Sequence, residues 1–232
     1  MTQRFFISMF MLVGIFINDA FSQNNLLGIV DFQEPLGDWI EASDVKLNTD
    51  DSTKLDMIAG EGVLMNGEKG RTVHLITKEP HGDLKLKLEF MVPRGSNSGV
   101  YLQGRYEIQI LDSWGRDKMV SGDCGGIYQR WDESRQGEKG YEGTPPPVNA
   151  CKEPGEWQTL FIKFKAPRFN ALGEKTSNAL FEKVMLNGIT LHENVEVTGP
   201  TRSSLDEEEG PAGHLMLQGD HGPVAYRNIK FK

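Results

Sequence analysis

Apolar and polar residues alternate along most of this chain. Leu84, Leu86, Leu88 and Phe90 are separated by Lys85, Lys87 and Glu89, and Leu160, Ile162 and Phe164 stand against Thr159, Lys163 and Lys165 in the same way. A period of two sends alternate side chains to opposite faces, so both stretches read as half-buried strands with a charged outer face. Val184 to Leu191 is interrupted by Asn187-Gly188, the strongest short hairpin signal. Leu215 and Leu217 alternate with His214, Met216 and Gln218, and a last strand runs from about Val224 to Phe231. Asp31 to Ile40, with Pro35 and Gly37, reads as an irregular lead-in. No segment keeps a helical period for three turns; the nearest, Asp132 to Tyr141, is polar and broken by glycine. The pattern predicts an all-β chain folded as a two-sheet antiparallel sandwich.

One stretch departs from the simple pattern. In GVYLQGRYEIQILDSWG, residues 99–115, Tyr106, Ile108 and Ile110 fall on one face, while Arg105, Glu107 and Gln109 fall on the other. Earlier in the stretch Tyr101 and Gln103 share a face, and Gly104 reads as a bulge that keeps the two polar sets together. Solvated outer faces are usually lysine, glutamate and threonine, as at Lys85, Lys87 and Glu89. An arginine, a carboxylate and an amide in a row is either an unusual solvated face or the lining of a cleft that holds a polyhydroxylated ligand. The segment from Asp112 to Glu156, rich in glycine and proline, is longer than a connector needs, and loops of that length commonly bind ligands.

The first residues change the picture of the domain. Arg4 precedes an apolar run from Phe5 to Ile17, and Ala20-Phe21-Ser22 follows, so residues 1–22 read as a secretory signal peptide cut before Gln23. The mature chain, 23–232, is expected to be one exported domain, periplasmic or extracellular. No later segment is long and apolar enough for a stable membrane span. The formal net charge of −8 is unchanged by removal of Arg4 and Asp19, whose charges cancel. An acidic chain without a lysine or arginine cluster argues against nucleic acid as a partner. Oligomeric state leaves no sequence signal. Cys124 and Cys151 permit one disulfide, but spacing alone does not bring them together.

Two further stretches carry chemistry. Gly125-Gly126-Ile127-Tyr128 closes a glycine-rich turn leading to Arg130 and Trp131. Leu217-Gln218-Gly219-Asp220-His221-Gly222-Pro223 precedes Tyr226-Arg227-Asn228-Ile229, and places His221 in a loop where imidazole could transfer a proton near neutral pH. There is no Gly-x-Ser-x-Gly elbow, P-loop, dinucleotide fingerprint or His-Glu-x-x-His, and no twelve-residue calcium cage.

Taken in order, Asn97-Ser98-Gly99-Val100-Tyr101, Tyr106 to Ser113, Gly126-Ile127-Tyr128, Pro154-Gly155-Glu156-Trp157-Gln158, Leu186-Asn187-Gly188 and Leu217 to Val224 with Arg227-Asn228-Ile229 resemble the motifs of the 3-keto-disaccharide hydrolase domain family. The resemblance runs from about residue 30 to the end of the chain. It implies a concanavalin-like jelly roll and action on glycosides already oxidised to a ketone at carbon 3. The ketone acidifies the proton on carbon 2, so a base can remove it, the carbon-1 group leaves, and water adds back. Glu107 and His221 are then the candidate base and acid, in either order. Arg105, Gln109, Gln218 or Arg227 could hold the enolate oxygen. Tyr101, Tyr128 and Trp131 could stack on sugar, with Asn97 as a further contact. No cofactor is required by the sequence, although a divalent metal could replace the enolate donors as Lewis acid. The alternatives are a lectin-like module without turnover, and an ordinary glycoside hydrolase with two carboxylates.

Overall fold

A computed structural model of the chain describes residues 26–232; the expected signal segment, 1–22, lies outside them. After a 3-10 turn at Ile29–Asp31 come β1 (Ile40–Leu47), β2 (Leu55–Met65), β3 (Leu75–His81), β4 (Leu84–Met91), β5 (Asn97–Leu102) and β6 (Tyr106–Leu111). The short β7 (Arg130–Trp131) and β8 (Gly140–Tyr141) precede β9 (Gln158–Lys165), and β10 (Arg168–Phe169) and β11 (Lys175–Ser177) follow it. The chain ends with β12 (Ala179–Leu186), β13 (Ile189–Val197), β14 (Gly213–Leu217) and β15 (Ala225–Phe231). No α-helix occurs among the described residues.

Seven strands form one antiparallel sheet in the order β1-β2-β15-β4-β9-β12-β13, and four form a second in the order β3-β14-β5-β6. The alternation places Leu84, Leu86, Leu88, Phe90, Leu160, Ile162 and Phe164 on the inner face of the large sheet. Val100, Leu102, Tyr106, Ile108, Ile110, Leu215 and Leu217 meet them from the small sheet. Each such side chain contributes about 1.5–3 kcal/mol on burial. The result is the expected jelly-roll sandwich. Lys85, Lys87 and Glu89 occupy the outer face, where Val63, Met65, Met91 and Ala225 form a small second apolar cluster.

The stretch 99–115 is not one strand with a bulge. It is a hairpin in which Leu102 pairs with Tyr106. Gln103 and Gly104 both have positive φ, 56° and 67°, and Arg105 N–H donates to Leu102 O at 3.0 Å. Three residues thus lie between the paired positions, a tight turn at Gln103-Gly104 followed by Arg105, which the ladder leaves unpaired, and asparagine or aspartate before the glycine would have announced the turn more clearly. His81, at the end of β3, fastens the turn: its Nε2 accepts the Gln103 N–H at 2.9 Å. The strands β1 to β3 had no clear signal. In β2 the middle residues are exposed and only Leu55 and Val63 to Met65 are buried, so no period shows.

Candidate active site

The hairpin makes the floor of a cleft on the outer face of the small sheet. Tyr101 stands opposite Glu107, and Gly99 opposite Gln109, so the polar residues of both strands meet on one face while Ile108 and Ile110 anchor the other in the core. Glu107 is only 2% exposed. Burial pushes its carboxyl up to about 8; the Tyr101 hydrogen bond pulls the other way, and the charge of Asp220 adds to the rise. Burial beside Glu107 likewise drives the Tyr101 phenol well above its ordinary value. At neutral pH Glu107 is therefore largely a neutral acid, with a proton to donate.

Three oxygens in this floor are buried without a hydrogen-bond partner: Asn97 Oδ1, Glu107 Oε2 and Gln109 Oε1. Buried polar atoms without partners are rare and costly, of order 1–3 kcal/mol each, and mark a place where a ligand completes the network. They suit the hydroxyl groups of a sugar, and are also the oxygen type that a hard divalent cation takes. Among the described residues no three His, Cys, Asp or Glu side chains are grouped as a metal site.

The wall of the cleft comes from the loop between β14 and β15. Gln218 and His221 line it, and His221 Nδ1 lies 2.5 Å from Asp220 Oδ1 and 3.2 Å from Gln218 Nε2. With the Nδ1–H donating to the Asp220 carboxylate, Nε2 has its lone pair free, the arrangement of a general base with an orienting acid. The loop is held from below. Asn66 Nδ2 donates to Gly219 O and Gly222 O, and Gly219 N–H donates to His74 Nδ1 at 3.2 Å. Gly222 has φ of 147°, and a Cβ there would meet Ser96 Oγ at 2.4 Å, so the turn beside His221 needs glycine.

The opposite wall is Tyr128 together with a strap at 200–204. Tyr128 N–H donates to Glu107 O, continuing the sheet beyond β6. Thr201 Oγ1 accepts the Glu107 N–H at 3.1 Å and donates to Arg105 O at 3.0 Å, and Arg202 O accepts the Tyr101 hydroxyl at 3.3 Å. Asn97, Tyr101, Glu107, Gln109, Tyr128, Arg202, Ser203, Gln218 and His221 enclose about 160 Å³.

Seven of the ten residues expected at the site thus gather around one cleft, and three do not. Arg105 is buried under the following loop, where it donates to Glu208 O and Ala212 O and pairs with Asp206 at 3.0 Å. Alternation had placed it beside Glu107, but it precedes β6 and lies in the turn. Arg227 lies on the outer face of the other sheet, bound to Glu89 at 2.6 Å and stacked on Trp157 at 3.9 Å. Trp131 stands in an adjoining cavity, with the Arg202 guanidinium 3.9 Å over its ring. Thr201, Arg202 and Ser203 were missed, since nothing in Pro200-Thr201-Arg202-Ser203 looks unusual in sequence. Asp220 was legible as the neighbour of His221.

The acidic run Asp206 to Glu209 has structural work. Besides the Asp206 pair, Glu209 accepts the Tyr106 hydroxyl at 2.6 Å and meets Lys175 at 2.5 Å.

A solved structure from Parabacteroides distasonis, provisionally assigned as a glycosyl hydrolase, is 26% identical and superposes with a TM-score of 0.60, over 87% of this chain and 83% of that one. A second from the same organism, with the same provisional assignment, is 15% identical, with a TM-score of 0.52 over 84% and 88%, and shows the shared fold. No curated protein matches the chain. The family described as the 3-keto-alpha-glucoside-1,2-lyase-like domain matches residues 33–232. With that match over most of its length, this chain belongs to the 3-keto-alpha-glucoside-1,2-lyase-like domain family.

Proposed function

We propose that the protein is an exported enzyme that cleaves 3-keto-glycosides by eliminating the carbon-1 group and then adding water. The observation that carries this reading is the pairing of unlike proton carriers across one small cleft: Glu107, buried and raised to about 8, and His221, held by Asp220. His221 Nε2 removes the proton from carbon 2, and the electron pair moves onto the carbon-3 oxygen. Gln109 and Gln218, two of the four candidates for holding that oxygen, supply amide N–H donors for it. The enolate then collapses to a carbon 1–carbon 2 double bond, the carbon 1–oxygen bond breaks, and Glu107 gives its proton to the departing oxygen. Water adds at carbon 1 while a proton returns to carbon 2, so the net change is hydrolysis.

An ordinary glycoside hydrolase would need a second carboxylate in the cleft. Asp112, five residues beyond Glu107, does not supply it: its carboxylate accepts the backbone N–H groups of Gly95 and Trp114. The deciding experiment incubates the purified protein with a 3-keto glucoside and with its unoxidised parent. Release of the aglycone from the ketone alone is expected. Equal cleavage of both would establish ordinary hydrolysis, and tight binding without release a lectin-like module.

A further inference from the structure

We infer that Asn66, which lies outside the cleft, is the positioning residue of the base: its one side-chain amide sets the Asp220-His221 pair in place. The inference rests on His221 taking the carbon-2 proton in the elimination reading. Asn66 follows β2, has 0% exposure, and is not among the residues that enclose the cleft. It reaches the histidine loop across 153 to 158 positions of the chain, and every polar atom of its side chain is engaged there. Its Nδ2 donates to Gly219 O at 3.0 Å and to Gly222 O at 2.8 Å, and its Oδ1 accepts the Val224 N–H at 2.8 Å. An amide has two hydrogens on one planar group. The carbonyls on both sides of Asp220-His221 are therefore fixed to a single rigid body.

The base needs such support. His221 has half of its side chain in solvent, and its contacts with Asp220 and Gln218 orient the ring only within its own loop. Where that loop stands relative to the floor is decided from below. The connection from β2 to β3 laces it down: Thr72 N–H donates to Gly219 O and Gly222 N–H to Gly70 O, both at 2.9 Å, and the exposed Arg71 donates to Asp220 O at 3.3 Å. Gly70 makes the close approach possible, since a Cβ there would lie 2.0 Å from Pro223 N. Asn66 is the buried side chain of this connection that bonds on both sides of the Asp220-His221 pair. A base must stand within about 3 Å of the proton it takes, and a displacement of about 1 Å can cost on the order of a hundredfold in rate. Asn66 meets no substrate and acts through the imidazole it places.

The test measures kcat and KM on a 3-keto glucoside for wild type, Asn66→Asp, Asn66→Ala, Asp220→Asn and the two double variants. Asn66→Asp keeps an oxygen for the Val224 N–H and loses both donors. Each Asn66 variant is expected to lower kcat by about ten- to a hundredfold, with KM changed less than about threefold. Asp220→Asn disturbs the same imidazole, so each double variant should be no more than about threefold slower than its poorer single one. A residue that merely holds the fold would instead multiply the two losses. That result, a loss carried by KM alone, or an unchanged kcat would overturn the inference and leave the elimination reading standing. So would thermal melts in which neither Asn66 variant folds, since Asn66 would then serve the fold and not the base. A wild-type protein that releases nothing from a 3-keto glucoside would overturn the elimination reading, and this inference with it.

Discussion

Gly99 leaves the space that the Glu107 carboxylate occupies: a Cβ on Gly99 would lie 2.2 Å from Glu107 Oε1 and 2.9 Å from the Tyr101 ring. Both contacts are closer than real Cβ atoms approach, so Gly99→Ala must push the carboxylate out of place. Displacements of about 1 Å at a reacting group can cost on the order of a hundredfold. Gly99→Ala is therefore expected to lower kcat/KM on a 3-keto glucoside by about ten- to a hundredfold while the protein stays folded. Steady-state kinetics and a thermal melt check this, and an unchanged kcat/KM would remove Glu107 from the chemistry.

The raised Glu107 pKa sets the direction of the pH profile. A proton donor must be protonated, so kcat/KM should fall as pH rises through about 8. If instead activity rises through that pH, Glu107 is the base and His221 the acid. Glu107→Gln and His221→Ala should each abolish release of the aglycone, and Glu107→Gln should also remove the alkaline limb from any residual activity.

Stability should respond to pH in two opposite senses, most strongly through His81 and Glu107. Burial lowers His81 to about 4, below its ordinary value of 6.5, so the unfolded chain takes up a proton first as the pH falls. Its contribution, on the order of 3 kcal/mol, is present above pH 6.5 and is lost between there and about 4. Glu107 is raised from 4.5 to about 8, so its contribution is present below 4.5 and is lost as the pH rises to 8. Urea melts of Glu107→Gln should lose the Glu107 dependence and keep that of His81 and the other histidines that burial lowers, His74 and His192, with stability rising from pH 4 to 6.5. The advantage of this variant over wild type should grow between pH 4.5 and 8.

Arg105 and Arg227 should separate by their effects. Arg105→Ala strands Asp206 and the carbonyls of Glu208 and Ala212, and should cost about 1.5–3 kcal/mol of stability, with loosening of the 200–212 loop. Arg227→Ala removes a half-exposed pair from the outer face of the other sheet and should change kcat/KM less than threefold. Hydrogen exchange and kinetics on both variants decide this.

Cys124 and Cys151 are free, the first buried and the second half-buried, and each shifts the other's pKa. The neighbouring Cys124 lowers Cys151, while Cys151 and burial push Cys124 up. In the reduced protein an alkylating reagent should modify Cys151 first. Under a disulfide donor the pair should lose two hydrogens and form a bridge worth about 3 kcal/mol, visible in the intact mass and in a raised melting temperature.

The alternation of Leu84 to Phe90, Leu160 to Phe164 and Tyr106 to Ile110 determined an all-β sandwich by itself, because a period of two leaves each strand one face to bury. The motifs around Asn97, Glu107 and His221 were equally legible, since residues two apart share a face and loop histidines stand out. What alternation could not decide was where each strand begins. A turn at Gln103-Gly104 takes Arg105 out of the face that Glu107 lines, and pairing of β15 in the large sheet carries Arg227 away from the cleft. Arg202 enters the site for the same reason in reverse. Its carbonyl receives the Tyr101 hydroxyl across about a hundred residues, and its N–H donates to Gln129 O, beside Trp131, across about seventy, contacts that local sequence does not encode and only the folded chain creates.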